Sequence, residues 1–232
     1  MSGPPINVII PLGGLGSRFQ KEGYLTRPKP FVRVLGKEMI LWVVDNLSIR
    51  SDDGLVLVYN PSWMSMDVFM REILAAKYPQ ATLVELPGPT RGAAETVMLG
   101  LRGLDERVRG RATLLADGDT FYTADIVNRF REASTRPAAP YDFLLTPRLS
   151  QVAPKHNAVF CFHDTQPKPI YSYCRLKDDG SNLILETKEK IKISDWANSG
   201  CYCFRDGIEL ERECDALLRA GETQLSQDKV GE

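Results

Sequence analysis

Apolar residues alternate between two rhythms along most of this chain. INVII (6–10) is a short apolar run closed by Pro11 and Gly13, and it reads as a buried strand. In KEMILWVVDNL (37–47) the spacing changes to that of a helix, with Met39, Ile40, Val43, Val44 and Leu47 on one face. LVLVY (55–59) predicts a second buried strand. WMSMDVFMREILAAKY (63–78) predicts a helix that turns Met66, Phe69, Met70, Ile73 and Leu74 inward. ATLVEL (81–86), a helix over about 93–104, ATLLA (112–116) and a helix near 123–133 continue the series. Strands separated by helices at this spacing imply an α/β fold, with a mixed, mostly parallel central sheet and helices on both faces.

The texture changes after about residue 141. YDFLLT, NAVFCF, IYSYC, NLILE and GCYCF are short strand-like runs separated by Pro, Asp-Gly and Lys-rich turns. An amphipathic helix near 206–220 follows. No repeat or linker-like stretch divides the chain, so one domain over 1–232 is expected.

Composition narrows the picture. A chain of 232 residues buries a full core without a disulfide or metal staple. Its 43% hydrophobic and 25% charged content excludes a disordered chain, a collagen and a coiled coil. The net charge of -1 implies no bulk attraction to nucleic acid or to an anionic membrane, and neither is expected as a partner. No apolar run reaches the roughly 18 residues of a membrane span. The N-terminus lacks the basic region of a signal peptide, so a cytoplasmic location is expected. Five cysteines, with no CxxC pair, and only two histidines read as reduced thiols without a zinc site. Trp42, on an apolar helix, is expected in the core.

The strongest local signal is PLGGLGSRF (11–19), where Gly13, Gly14 and Gly16 follow a buried strand directly. Glycines there let backbone N–H groups approach a phosphate closely. The string is not a Walker loop, which needs GxxxxGK[ST]. It is not a dinucleotide fingerprint either: Phe19 stands where the third glycine belongs, and Gly23, Pro28 and Pro30 interrupt any following helix. Arg18 and Lys29, the latter stiffened between Pro28 and Pro30, add the positive charge that a triphosphate requires.

GGLGSRF…RPKPFVRVLGKEMI resembles the signature of the sugar-phosphate nucleotidyltransferases, a family that includes nucleoside-diphosphate-sugar pyrophosphorylases and phosphocholine cytidylyltransferases. The resemblance implies a Rossmann-like nucleotidyltransferase (GT-A-like) fold. Its nucleotide-binding half would span about 1–135 and its acceptor-binding half about 136–232. By the same resemblance Leu12, Gly13, Gly14, Gly16 and Ser17 would cradle the phosphates. Arg18 would orient the leaving pyrophosphate, and Lys29 would neutralise the α-phosphate.

Three further segments match in order. In GPTRGAAETV (88–97), Gly92 and Ala93 fall where the family reads the nucleotide base, while Glu95 suits a helix start whatever the function. In LLADGDTFY (114–122) a buried strand ends in Asp117-Gly118-Asp119. Two carboxylates at i and i+2 can face one hard cation, and magnesium is the expected ion; the resemblance implies Asp119 as the main ligand, with Asp117 beside it. In ETKEKIKISDWANSGCYCF (186–204), Glu189, Lys190, Asn198 and Gly200 would meet the acceptor. The resemblance covers about residues 6–205.

The sequence departs from the family at two places. Asn157 and Ala158 replace a glycine expected near the acceptor. The chain also stops at DKVGE (228–232), before the strand that bears a second metal-binding Asp, so a C-terminal truncation is expected. The resemblance implies Mg2+-dependent transfer of a nucleoside monophosphate from an NTP to a sugar 1-phosphate, with release of pyrophosphate. A cytidylyltransferase acting on phosphocholine or another phospho-alcohol is the alternative, as is a nucleotide-binding regulatory subunit without turnover. The partners would be an NTP and a phosphorylated small molecule, with a homo-oligomer left open.

Overall fold

The structure, a computed structural model, describes residues 3–23, 26–135 and 157–221. Three parallel strands stand at its centre: β1 (Asn7–Leu12), β4 (Gly54–Tyr59) and β6 (Thr113–Ala116), with β1 between the other two. Strand β5 (Thr82–Glu85) extends the sheet beyond β4, also parallel. On the other side β10 (Trp196–Phe204) pairs antiparallel with β6. Beyond it lie β8 (Ser172–Leu176) and β9 (Ile184–Glu189), giving the order β5-β4-β1-β6-β10-β8-β9. β7 (Ala158–His163) runs antiparallel along the remaining edge of β10. This is the mixed, mostly parallel α/β architecture expected from the sequence, parallel in its first half and mixed in its second.

Both faces of the parallel strands are covered, which explains why they read as apolar runs. Val8, Ile10 and Leu12 of β1 share one core with Leu55, Leu57 and Tyr59 of β4, with α2 (Met39–Asn46) and with α6 (Ile126–Thr135). Ile9, Val56 and Val58 point the other way, onto Val97, Met98 and Leu101 of α4 (Ala93–Arg102) and onto Leu210, Cys214 and Leu218 of α7 (Gly207–Arg219). Each fully buried Val, Ile or Leu contributes roughly 1.5–3 kcal/mol over its exposed state. Asp206 caps α7, its carboxylate accepting from the N–H groups of Ile208 and Glu209 at 2.7 and 3.0 Å.

A buried ion pair ties the start of β1 to α6. The Arg131 guanidinium donates to both carboxylate oxygens of Asp53 at 2.6 Å, and to the carbonyl of Pro4 at 3.1 Å. Asp53 also accepts from the N–H groups of Ile6 and Arg50. Burial alone would raise the pKa of this carboxyl. The Arg131 bond and the two backbone donors outweigh it and hold the group below the usual carboxylate range.

Several elements differ from the sequence reading. The expected 37–47 helix begins at Met39, because Lys37–Glu38 (β3) pairs with Arg33–Val34 (β2) in a hairpin. Leu35 and Gly36, both at positive φ, form its two-residue turn. Trp42 is half-buried rather than in the core, and its indole N–H donates to the Val34 carbonyl of that hairpin at 2.8 Å. The 63–78 helix is broken. Met64 and Ser65 adopt left-handed conformations, α3 spans Met66–Phe69, and a wider π-helical stretch, Met70–Ala75, completes it. The expected inward face survives, since Met66, Met70 and Leu74 are buried at four-residue intervals. A five-residue helix, α1 (Ser17–Lys21), and a short α5 (Glu106–Arg109) were not expected. YDFLLT, Lys155, His156 and the C-terminal DKVGE lie outside the described residues. All five cysteines are free and buried. Among the described residues, no helix is long and apolar enough to cross a membrane.

Candidate active site

Parallel strands release their chain at one edge, and the candidate residues gather there. β1 ends at Leu12 and delivers the glycine loop. β6, its hydrogen-bonded neighbour, ends at Ala116 and delivers Asp117-Gly118-Asp119. The two motifs, about a hundred residues apart in sequence, are therefore adjacent in space.

Gly13 lies against α4: a β-carbon built on it would stand 3.0 Å from Thr96 Oγ1. The base-reading candidates Gly92 and Ala93 form the cap and first residue of that same helix. Glu95 is committed locally, accepting from the Arg91 N–H at 2.7 Å and pairing with its guanidinium. Gly14 has open space beside it. Gly16 has φ +62°, a conformation that favours glycine, and its missing side chain leaves room for Lys29, whose Cβ would be 3.1 Å away. Ser17 and Arg18 open α1. Leu12 is buried, with its side chain packed beneath Gly118, so any contact it makes at the loop is through its backbone.

Lys29 sits in a single 3₁₀ turn, Lys29–Phe31, entered through Pro28. Its ammonium forms an ion pair with Asp119 and lies 5.3 Å from the centroid of the Phe19 ring. The prolines and buried Phe31 anchor the turn, so the lysine is aimed across the mouth of the cleft.

Asp117 is held from the opposite side. Its N–H donates to the Gly200 carbonyl at 3.2 Å, and Gly200 (φ +78°) leaves the space its carboxylate occupies. The Asn198 side chain accepts from the Gly200 N–H at 2.9 Å and shapes this turn, where β10 shifts register. The Asp117 carboxyl is pushed up to about 6. Crowding by protein atoms is the main cause, the neighbouring Asp119 charge adds to it, and Lys29 offsets part of it. Asp117 is partly exposed and lines the cleft.

Two carboxylates at neighbouring positions of one strand end suit a hard divalent cation. Among the described residues no cluster of three or more His, Cys, Asp or Glu forms a ready metal cage. A cation at Asp117 and Asp119 would therefore complete its shell from phosphate oxygens and water, as magnesium does.

The two carboxylates open into a cleft of about 800 Å³. Glu189, Asn198 and Gly200 line it, which brings three of the four expected acceptor residues onto one wall with Asp117 and Asp119. Lys190 follows Glu189 at the end of β9 with a left-handed backbone (φ 52°) and is not among the lining residues. The sequence reading missed the aromatic part of the wall: Phe121, Tyr122, Phe162, Tyr171 and Tyr202. The signal was present in TFY directly after the second Asp, and in Phe-Cys-Phe (160–162), where alternate strand positions face the cleft.

No protein-family model matches this sequence, and no curated protein matches it. Solved structures do. The crystal structure of the nucleoside-diphosphate-sugar pyrophosphorylase from Vibrio cholerae RC9 is similar over 97% of this chain and 82% of that one, with a TM-score of 0.66 and 24% identity. A protein assigned as a glucose-1-phosphate thymidylyltransferase from Bacillus anthracis, crystallised with sucrose, is similar over 94% of this chain and 75% of that one, with a TM-score of 0.60 and 15% identity. The chain thus has the nucleotidyltransferase fold, the same class the motifs pointed to.

Proposed function

We propose that the chain is a nucleotidyltransferase, moving a nucleoside monophosphate from an NTP to a phosphorylated small molecule and releasing pyrophosphate. The observation that carries this reading is the meeting of the glycine loop, Lys29 and Asp119 at the carboxyl ends of neighbouring strands, at the mouth of the cleft. The names of the two similar structures support a sugar 1-phosphate as the acceptor class to try first.

An oxygen of the acceptor phosphate attacks the α-phosphorus. The bond from that phosphorus to the bridging oxygen breaks, and its electron pair leaves with pyrophosphate. The attacking oxygen is already anionic, so no side chain has to remove a proton. Catalysis is then alignment and charge neutralisation. The glycine loop would hold the phosphates through backbone N–H groups. Lys29 would meet the α-phosphate, Arg18 the departing pyrophosphate, and Gly92 and Ala93 the base. Magnesium held by Asp119 and Asp117 would supply further neutralisation of the phosphates.

The test is pyrophosphate release with magnesium, over the four ribonucleotides and dTTP, against a panel of phosphate monoesters. One productive pair is expected. No release from any pair, with NTP still raising the melting temperature, would favour the regulatory-subunit reading instead.

A further inference from the structure

Lys29 and Asp119 are two groups the proposed reaction needs, and in this structure each is spent on the other. The Lys29 ammonium is ion-paired with Asp119, whose carboxylate has no other ion-pair partner among the described residues. The same positive charge is felt at Asp117, the second carboxylate of this strand end. An ammonium in contact with a carboxylate stands where a metal ion would stand. A divalent cation binding Asp119 beside it would meet a like charge at close range, and like charges at a few ångströms oppose each other strongly away from bulk water. The pair thus closes the two carboxylates to a bare cation.

The other end of the lysine lies on the glycine loop. A β-carbon built on Gly16 would stand 3.1 Å from Lys29 Cβ and 4.0 Å from its Cδ, and the ammonium is 5.3 Å from the centroid of the Phe19 ring. The stem is fixed by this packing and by the buried Pro30 and Phe31 that follow it. The head, in contrast, turns on a flexible chain and is partly exposed, in a pair too open to water to be strong. Phosphates settling on the loop would place several negative charges beside that stem, against the single charge of Asp119.

Resting on the nucleotidyl-transfer reading, we propose that Lys29 is a displaceable plug. It occupies Asp119 until a triphosphate on the glycine loop draws it off, so that Asp119 accepts a divalent ion only after nucleotide has arrived. The exchange makes and breaks no covalent bond. By linkage it is reciprocal: whatever takes the lysine strengthens Asp119 as an ion ligand, and whatever takes Asp119 strengthens the hold of the lysine on phosphate.

The experiment reads binding rather than turnover. Mn2+, a paramagnetic stand-in for magnesium, is titrated into protein without nucleotide, and the free ion is measured by electron paramagnetic resonance. Lys29→Met keeps the stem and loses the charge, and it should bind Mn2+ at least tenfold tighter than the parent chain. Adding Asp119→Asn to that variant should abolish the gain. The reciprocal arm measures metal-free NTP in EDTA, over the four ribonucleotides and dTTP. Asp119→Asn should bind the preferred NTP several-fold tighter than the parent chain, and the gain should vanish when Lys29→Met is added, since it passes through the released lysine. Melting temperatures confirm that each variant is folded, and the Asp119→Asn comparison stands if Lys29→Met is not. Mn2+ binding in Lys29→Met no tighter than in the parent chain, or an NTP gain in Asp119→Asn that persists without the lysine, overturns the plug. Pyrophosphate release by the parent chain would then leave the transfer reading standing. A tighter Mn2+ site with no NTP bound by any form sinks the transfer reading, and the exchange that rests on it.

Discussion

Gly200 lacks a side chain where the carboxylate of Asp117 lies: a β-carbon built there would stand 2.0 Å from Asp117 Oδ2. The two residues come from neighbouring strands of opposite direction, and each limits where the other can be. Gly200→Ala should therefore displace the carboxylate as well as strain a backbone at positive φ. The strain costs about 1–2 kcal/mol. The expected result is a lowered Tm and at least a tenfold loss of pyrophosphate release. Activity that falls no further than stability does would separate Gly200 from the placement of Asp117.

Lys29 tests the division between fold and chemistry. Its ion pair with Asp119 is partly exposed, with 28% and 38% of the two side chains open, so it contributes at most about 1 kcal/mol to stability. Lys29→Ala should lower turnover at least tenfold while Tm changes little. Normal turnover in that variant would remove Lys29 from the reaction.

Asp119 tests the metal. Asp119→Ala should abolish the magnesium dependence of pyrophosphate release, read by titrating the ion at saturating NTP. An unaltered magnesium response in the variant would locate the ion elsewhere.

Asp53 and Arg131 lie far from the cleft and test the frame alone. Removing one member of a buried pair strands the other, at a cost of about 3–5 kcal/mol. Asp53→Asn should destabilise by that order without a specific kinetic defect in the molecules that remain folded. The sign with pH follows from the depressed carboxyl. Its contribution is complete above the ordinary carboxylate pKa of about 4 and is lost as pH falls through the lower folded-state value. Acid unfolding curves should show this loss in the parent chain and less of it in Asp53→Asn.

Much of the frame was legible because it depends on period. Ile9, Val56 and Val58 face one layer while Val8, Ile10, Leu55 and Leu57 face the other, and such strands can only be written as continuous apolar runs. Within the site, the glycines and Asp117-Gly118-Asp119 were legible because each follows a strand end, and Lys29 because Pro28 and Pro30 flank it. Three features were not. The break between α3 and the π-helical stretch still buries Met66, Met70 and Leu74 at intervals that an unbroken α-helix also gives. The β2–β3 turn uses Leu35 at φ 51°, a conformation its side chain does not advertise. The aromatic wall is assembled from β7, β8, β10 and the loop after β6, and no local window contains it. Lys190, assigned to the acceptor by its place in a motif, follows β9 with a left-handed backbone and is not among the residues lining the cleft.

β10 pairs with β6 near one end and with β8 near the other, and the register shift between Asn198 and Tyr202 separates the two regions. Under the proposed reaction one strand would thus serve both substrates. A molecule that presses wrongly on Tyr202 leans on the same bend that seats Asp117. Misfit would then be felt as a misplaced carboxylate, and the wrong acceptor would be rejected in rate even when it is admitted to the cleft.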